Sequence, residues 1–217
     1  MITELNNQLK TKLHAELEVV ILKVNALSNS PFTPIREAFE LAKKFDLIEF
    51  ERKTKARLED IIPTWLEIQA KEDKIYDSIY FEYSDQEIPP YEAFSYGLFD
   101  MRNYKLTIEK NYYQFAQQGE WDAGAGFELQ PYSFCKPFHI AVLRDRELYD
   151  KIHYDNTSGI YDLFELASAQ CKVVFNSVFS NADNKGMFDS LRIKKGGLFM
   201  YDSHDGGNVQ DPFYLKS

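Results

Sequence analysis

Cysteine is almost missing from this chain: Cys135 and Cys171 are the only two in 217 residues. Two cysteines build no disulfide framework, and their spacing matches no zinc-ligand pattern, so free thiols in a cytoplasmic setting are expected. Long apolar runs are absent as well. No stretch approaches the roughly 18 residues that cross a bilayer, and the polar, mixed-charge segment from Met1 to Lys12 is unlike a secretory signal. Internal repeats, low-complexity tracts and linkers are lacking, which favours one domain over 1–217. Positive charge is in deficit, with 25 Lys and Arg against 34 Asp and Glu and a net charge of −9. Nucleic acid and anionic lipid both need basic side chains for their phosphates, so neither is an expected partner. What remains is 44 % hydrophobic and 15 % aromatic, enough to bury a proper core.

The first seventy residues read as helices. Thr3 caps a segment in which Leu5, Leu9, Leu13, Leu17, Ile21 and Val24 form one apolar stripe, either a core face or a dimer seam. Thr33–Pro34 repeats the start signal, followed by Ile35, Ala38, Phe39 and Ala42. Asp46 with Glu49 three residues on has capping-box spacing. The helix it opens should run to Ile62, where Pro63 kinks or ends it before Trp65, Leu66 and Ile68 resume an apolar face. Residues 1–71 would thus be a helical part packed on a sheet.

From Ile75 the character changes. Ile75, Ile79, Phe81 and Tyr83 alternate with Tyr76, Ser78, Tyr80 and Glu82, as a strand does. Ala93 to Met101 and Tyr104 to Glu109 suggest two more strands, and the short connections an antiparallel meander over 75–109. Residues 119–137 read as loop, Phe138 to Leu143 as a short strand and Arg144 to His153 as a short helix. Thr157 or Ser158 caps a broadly apolar helix over about 160–179. Leu191 to Lys195 and Leu198 to Asp202 flank Gly196–Gly197, which predicts a C-terminal β-hairpin turning there. The expected class is α+β: helices first, then a mainly antiparallel sheet interrupted by one long helix.

The most informative feature for function is charge. Between Glu72 and Glu128 twelve carboxylates meet only Lys74, Arg102, Lys105 and Lys110, and the stretch holds eight of the 14 tyrosines. If adjacent strands gather them, Tyr80, Glu82, Tyr83, Asp85, Glu92 and Tyr96, with Trp121 on a loop, would form an acidic aromatic face for a basic protein partner. In compositional style the chain resembles small acidic immunity proteins of bacteria, although no motif carries over residue by residue. The first reading is therefore a non-enzymatic binding module, an inhibitor or immunity-type protein. A second is a metal-dependent hydrolase using Asp202, His204 and Asp205, with His139 or His153 completing the set, although Asp, His and Gly are also ordinary hairpin-exit residues. A third is a homodimer or larger oligomer built on the N-terminal helix.

Other candidates are weaker. Cys135 and His139 invite a thiolate–imidazole pair, but Pro137 lies between them. The glycines around Trp121 lack the lysine of a P-loop and the spacing of the dinucleotide fingerprint, so no cofactor is expected.

Overall fold

The computed structural model describes residues 1–84, 90–99, 101, 104–109, 111–112, 122–123, 126–153, 159–203 and 209–217. Three helices come first: α1 (Ile2–Val24), α2 (Thr33–Ala42) and α3 (Leu47–Glu72). On α1 the residues Leu9, Leu13, Leu17, Val20 and Val24 are buried while Ile21 is 42 % exposed, so the stripe turns slightly from its expected course. It packs on the long helix α6 (Ile160–Asn184), which makes it a core face. The Asp46 carboxylate accepts the Ile48 and Glu49 amides, each at 3.0 Å, as an N-cap should. Pro63 neither ends nor splits α3. It and Glu59, whose carbonyl it leaves without a donor, both lie on the exposed side, so the lost bond is not buried. Among the described residues no helix is long and apolar enough to cross a membrane.

Among the described residues seven strands follow the order β3-β7-β6-β1-β2-β4, with β5 beside β2. They are β1 (Tyr76–Tyr83), β2 (Glu92–Leu98), β3 (Asn111–Tyr112), β4 (Asp122–Ala123), β5 (Phe127–Glu128), β6 (Ile193–Ser203) and β7 (Val209–Leu215). Pairs β1–β2 and β6–β7 are antiparallel, and β1–β6 at the centre is parallel. The sheet is thus two antiparallel groups of strands joined along a parallel seam. The chain is α+β, with helices first and strands last.

Three local expectations are corrected. Residues 104–109 form bends rather than a third meander strand; they lay Tyr104, Leu106 and Ile108 against the core, and the Tyr104 hydroxyl donates to the Gly196 carbonyl. Alternating apolar residues serve a segment lying flat on a sheet as well as one paired within it. Phe138 to Leu143 belongs to α4 (Lys136–Arg144), which opens with Pro137 in its first turn and is followed by α5 (Arg146–His153). A six-residue apolar run does not itself distinguish the two states.

Lastly, Gly196–Gly197 lies inside β6, whose antiparallel partner is β7 rather than a strand starting at Leu198. Gly196 does take a positive φ of 77°, but in a bulge: residues 193 and 198 of β6 pair with 76 and 78 of β1. The bulge places Lys194 in an ion pair with Asp77.

The core centres on rings. Phe81 of β1 meets Phe127, Phe175, Phe179 and Phe213 at centroid distances of 5.2–6.2 Å. Phe175 and Phe179 come from α6, which carries buried residues on more than one side because α1, α3 and the sheet all pack on it. Trp65 of α3 donates its indole N–H to Ser95 Oγ at 2.9 Å and so ties the helices to β2.

Candidate functional site

The face of the sheet turned away from this aromatic core is built in rungs across β2, β1 and β6. Leu98, Ser78 and Leu198 make the first and Tyr96, Tyr80 and Met200 the second; Phe94, Glu82 and Asp202 make the third. Burial falls along the series. The first rung is fully buried, Tyr96 in the second is half-buried, and in the third Glu82 and Asp202 are half-buried and Phe94 is 49 % exposed. The sheet therefore ends in two carboxylates on adjacent central strands, about 4.8 Å apart at the backbone, with an open phenyl ring beside them. Burial and the nearby charge of Glu82 both push the Tyr96 phenol above its ordinary range, burial being the larger cause.

The expected docking residues divide. Glu82 and Tyr96 share this face. Tyr80 points the same way but is fully buried, with its hydroxyl donated to the Ser203 carbonyl at 3.3 Å, and so it presents no surface. Tyr83 is on the opposite face, stacked on Tyr201 at 5.1 Å and tilted against Tyr132 at 5.8 Å. Alternation along one strand makes this separation unavoidable. Glu92 is exposed at the start of β2, next to Tyr91, which is 52 % exposed. Asp85 and Trp121 lie outside the described residues, as do His204 and Asp205.

Some of the acidic stretch is used internally. Asp77 is 2 % exposed, ion-paired to Lys194, and accepts the Met101 amide at 2.8 Å. Asp73 pairs with Arg192. Sequence reasoning did not join Asp202 to Glu82, because parallel pairing between segments 120 residues apart leaves no local mark. Phe94 was not among the expected residues, although it shares a face with Glu92 and Tyr96.

The enzyme-like groups fare differently. Cys135 is fully buried and its thiol is pushed up by that burial, opposite to what a nucleophile requires. His139 sits half-buried on α4. Asp202 accepts the Ser203 amide at 2.9 Å. Among the described residues no three of His, Cys, Asp and Glu are grouped to hold a metal ion.

A second concavity opens beside this sheet end. Between α3 and the β2–β5 edge lies a cleft of about 390 Å³ that draws Lys53, Thr54 and Arg57 from the helix and Tyr91, Glu92 and Glu128 from the strands. Comparison with known proteins gives no match to a family model, a curated protein or a solved structure.

Proposed function

We propose that this protein is a non-enzymatic binding module, of the inhibitor or immunity type, whose acidic sheet end docks on a basic protein surface. The rung Phe94–Glu82–Asp202 carries the reading: two carboxylates on neighbouring central strands beside a half-exposed ring. That arrangement suits an arginine from a partner. Its guanidinium fork matches carboxylate geometry, and its flat face stacks on an aromatic ring for about 0.5–1 kcal/mol at an exposed site. Tyr91 and Phe94 add open aromatic area of the kind that anchors interfaces. The net charge of −9 would steer a cationic partner and speed its encounter. A target built to hold phosphate is basic at its own active site, which is why an inhibitor of such a target fits this balance.

The hydrolase reading rests on residues 204 and 205 and goes no further here, and the stripe invoked for an oligomer is buried against α6. The docking reading is tested by charge reversal. Immobilised wild-type protein should retain basic proteins at low salt and release them by about 0.5 M salt, where the screening length is only a few ångströms. The Glu82→Lys/Asp202→Lys double variant, checked for an unchanged circular dichroism spectrum, should retain none of them. Equal recovery by both proteins overturns the proposal.

A further inference from the structure

We propose that the cleft between α3 and the β2–β5 edge binds a small zwitterion, with the charge pattern of a free α-amino acid carrying an apolar side chain. This does not rest on the docking reading, since neither Glu82 nor Asp202 lines the cleft.

The two walls carry opposite charge. On the α3 wall Lys53 and Arg57 are one helical turn apart, so their heads emerge side by side. Arg57 Nε donates to the Gly126 carbonyl at 2.8 Å, which orients the guanidinium while leaving its terminal nitrogens for a ligand. Lys53 reaches Glu49 only at 4.0 Å, and its side chain is 50 % exposed. On the strand wall Glu92 and Glu128 are register partners across β2 and β5. Glu92 lies over Gly126 so closely that a Cβ there would come within 2.7 Å of its Oε1. Glu128 is oriented by Gln130, whose Nε2 donates to it at 3.0 Å.

Among the described residues no ion pair within 4.0 Å joins the walls. The Gly126 carbonyl anchors Arg57 at the mouth of the cleft. Phe50 and Phe127 form an apolar floor, and Tyr91 is a half-open rim. The volume of about 390 Å³ falls in the range of small-molecule sites.

Charge decides the ligand class. A phosphate compound would satisfy the α3 wall and be repelled by the carboxylates, and a simple amine would do the reverse. A zwitterion satisfies both: its carboxylate meets Lys53 and Arg57, its ammonium meets Glu92 and Glu128, and its side chain packs against Tyr91 at the rim. Charge-assisted hydrogen bonds at each end make both charges necessary.

The probe is L-phenylalanine, titrated into the full-length protein and followed by amide chemical shifts and calorimetry. Saturable shifts are expected at residues 53–57, 91–92 and 126–130, with a Kd of about 1 mM or tighter. N-acetyl-L-phenylalanine amide, 3-phenylpropanoate and phenethylamine, which lack both charges or one, should each bind at least about tenfold more weakly. Lys53→Gln and Glu92→Gln alter exposed side chains and should each weaken the probe by about tenfold with the fold intact. No saturable shift up to about 10 mM, or equal binding of the uncharged analogue, overturns the proposal.

Discussion

Asp77 offers the sharpest test of how the acidic stretch is divided between structure and surface. Its carboxylate is 2 % exposed, accepts the buried Met101 amide at 2.8 Å and pairs with Lys194, whose side chain is 52 % exposed. Asp77→Ala removes a hydrogen bond to a charged acceptor, about 1.5–3 kcal/mol, and leaves the Met101 amide without a partner. The ion pair adds less than about 1 kcal/mol, because half of the lysine is in water. The expected loss is therefore about 3 kcal/mol, or roughly 6–12 °C in Tm for a chain of this size. Asp77→Asn keeps an acceptor for Met101 and should lose only about 1 kcal/mol, and Lys194→Met no more than that. Urea unfolding followed by circular dichroism ranks the three variants. If Lys194→Met is as damaging as Asp77→Ala, the ion pair rather than the amide bond carries the effect, and the reasoning is refuted.

Other outcomes follow from the core and its titrating groups. Phe179→Ala empties a site where five rings lie within 4.9–6.1 Å, and should lose about 3–5 kcal/mol in the same urea assay. Burial, then the charge of Asp77, raises the Tyr104 phenol to about 12, and burial drives those of Tyr132 and Tyr201 well above the ordinary value. Phenols held protonated in the folded state contribute stability that is complete below about pH 10 and lost as pH rises through about 12. Absorbance at about 295 nm should therefore show tyrosines that ionise only as the protein unfolds in alkali; full ionisation with the fold retained contradicts this. Cys135 and Cys171, both fully buried and pushed up by desolvation, should resist a thiol reagent until denaturant is added.

Much of the architecture was legible because it is written locally. The Asp46 cap, the proline-led start of α2 and the leucine stripe of α1 each need only neighbouring residues to be read. That Pro63 does not end α3 could not be read locally, because the side of the helix it occupies is set by tertiary packing. Gly196–Gly197 shows the same limit: two glycines permit a turn or a bulge, and the choice belongs to β1, which pairs on both sides of them. The site was legible in part. Charge density pointed to β1 and β2, and alternation could have separated Tyr83 from Glu82. The meeting of Glu82 with Asp202 depends on a parallel pairing that no local pattern announces.

A nuclear magnetic resonance titration of the isotope-labelled protein with a short arginine-containing peptide addresses the docking surface most directly. Amide shifts should concentrate at Glu82, Phe94, Tyr96 and Asp202 and fade as salt is raised. Shifts of equal size scattered over the acidic residues of α1, α2 and α3, with the sheet end silent, would contradict the account.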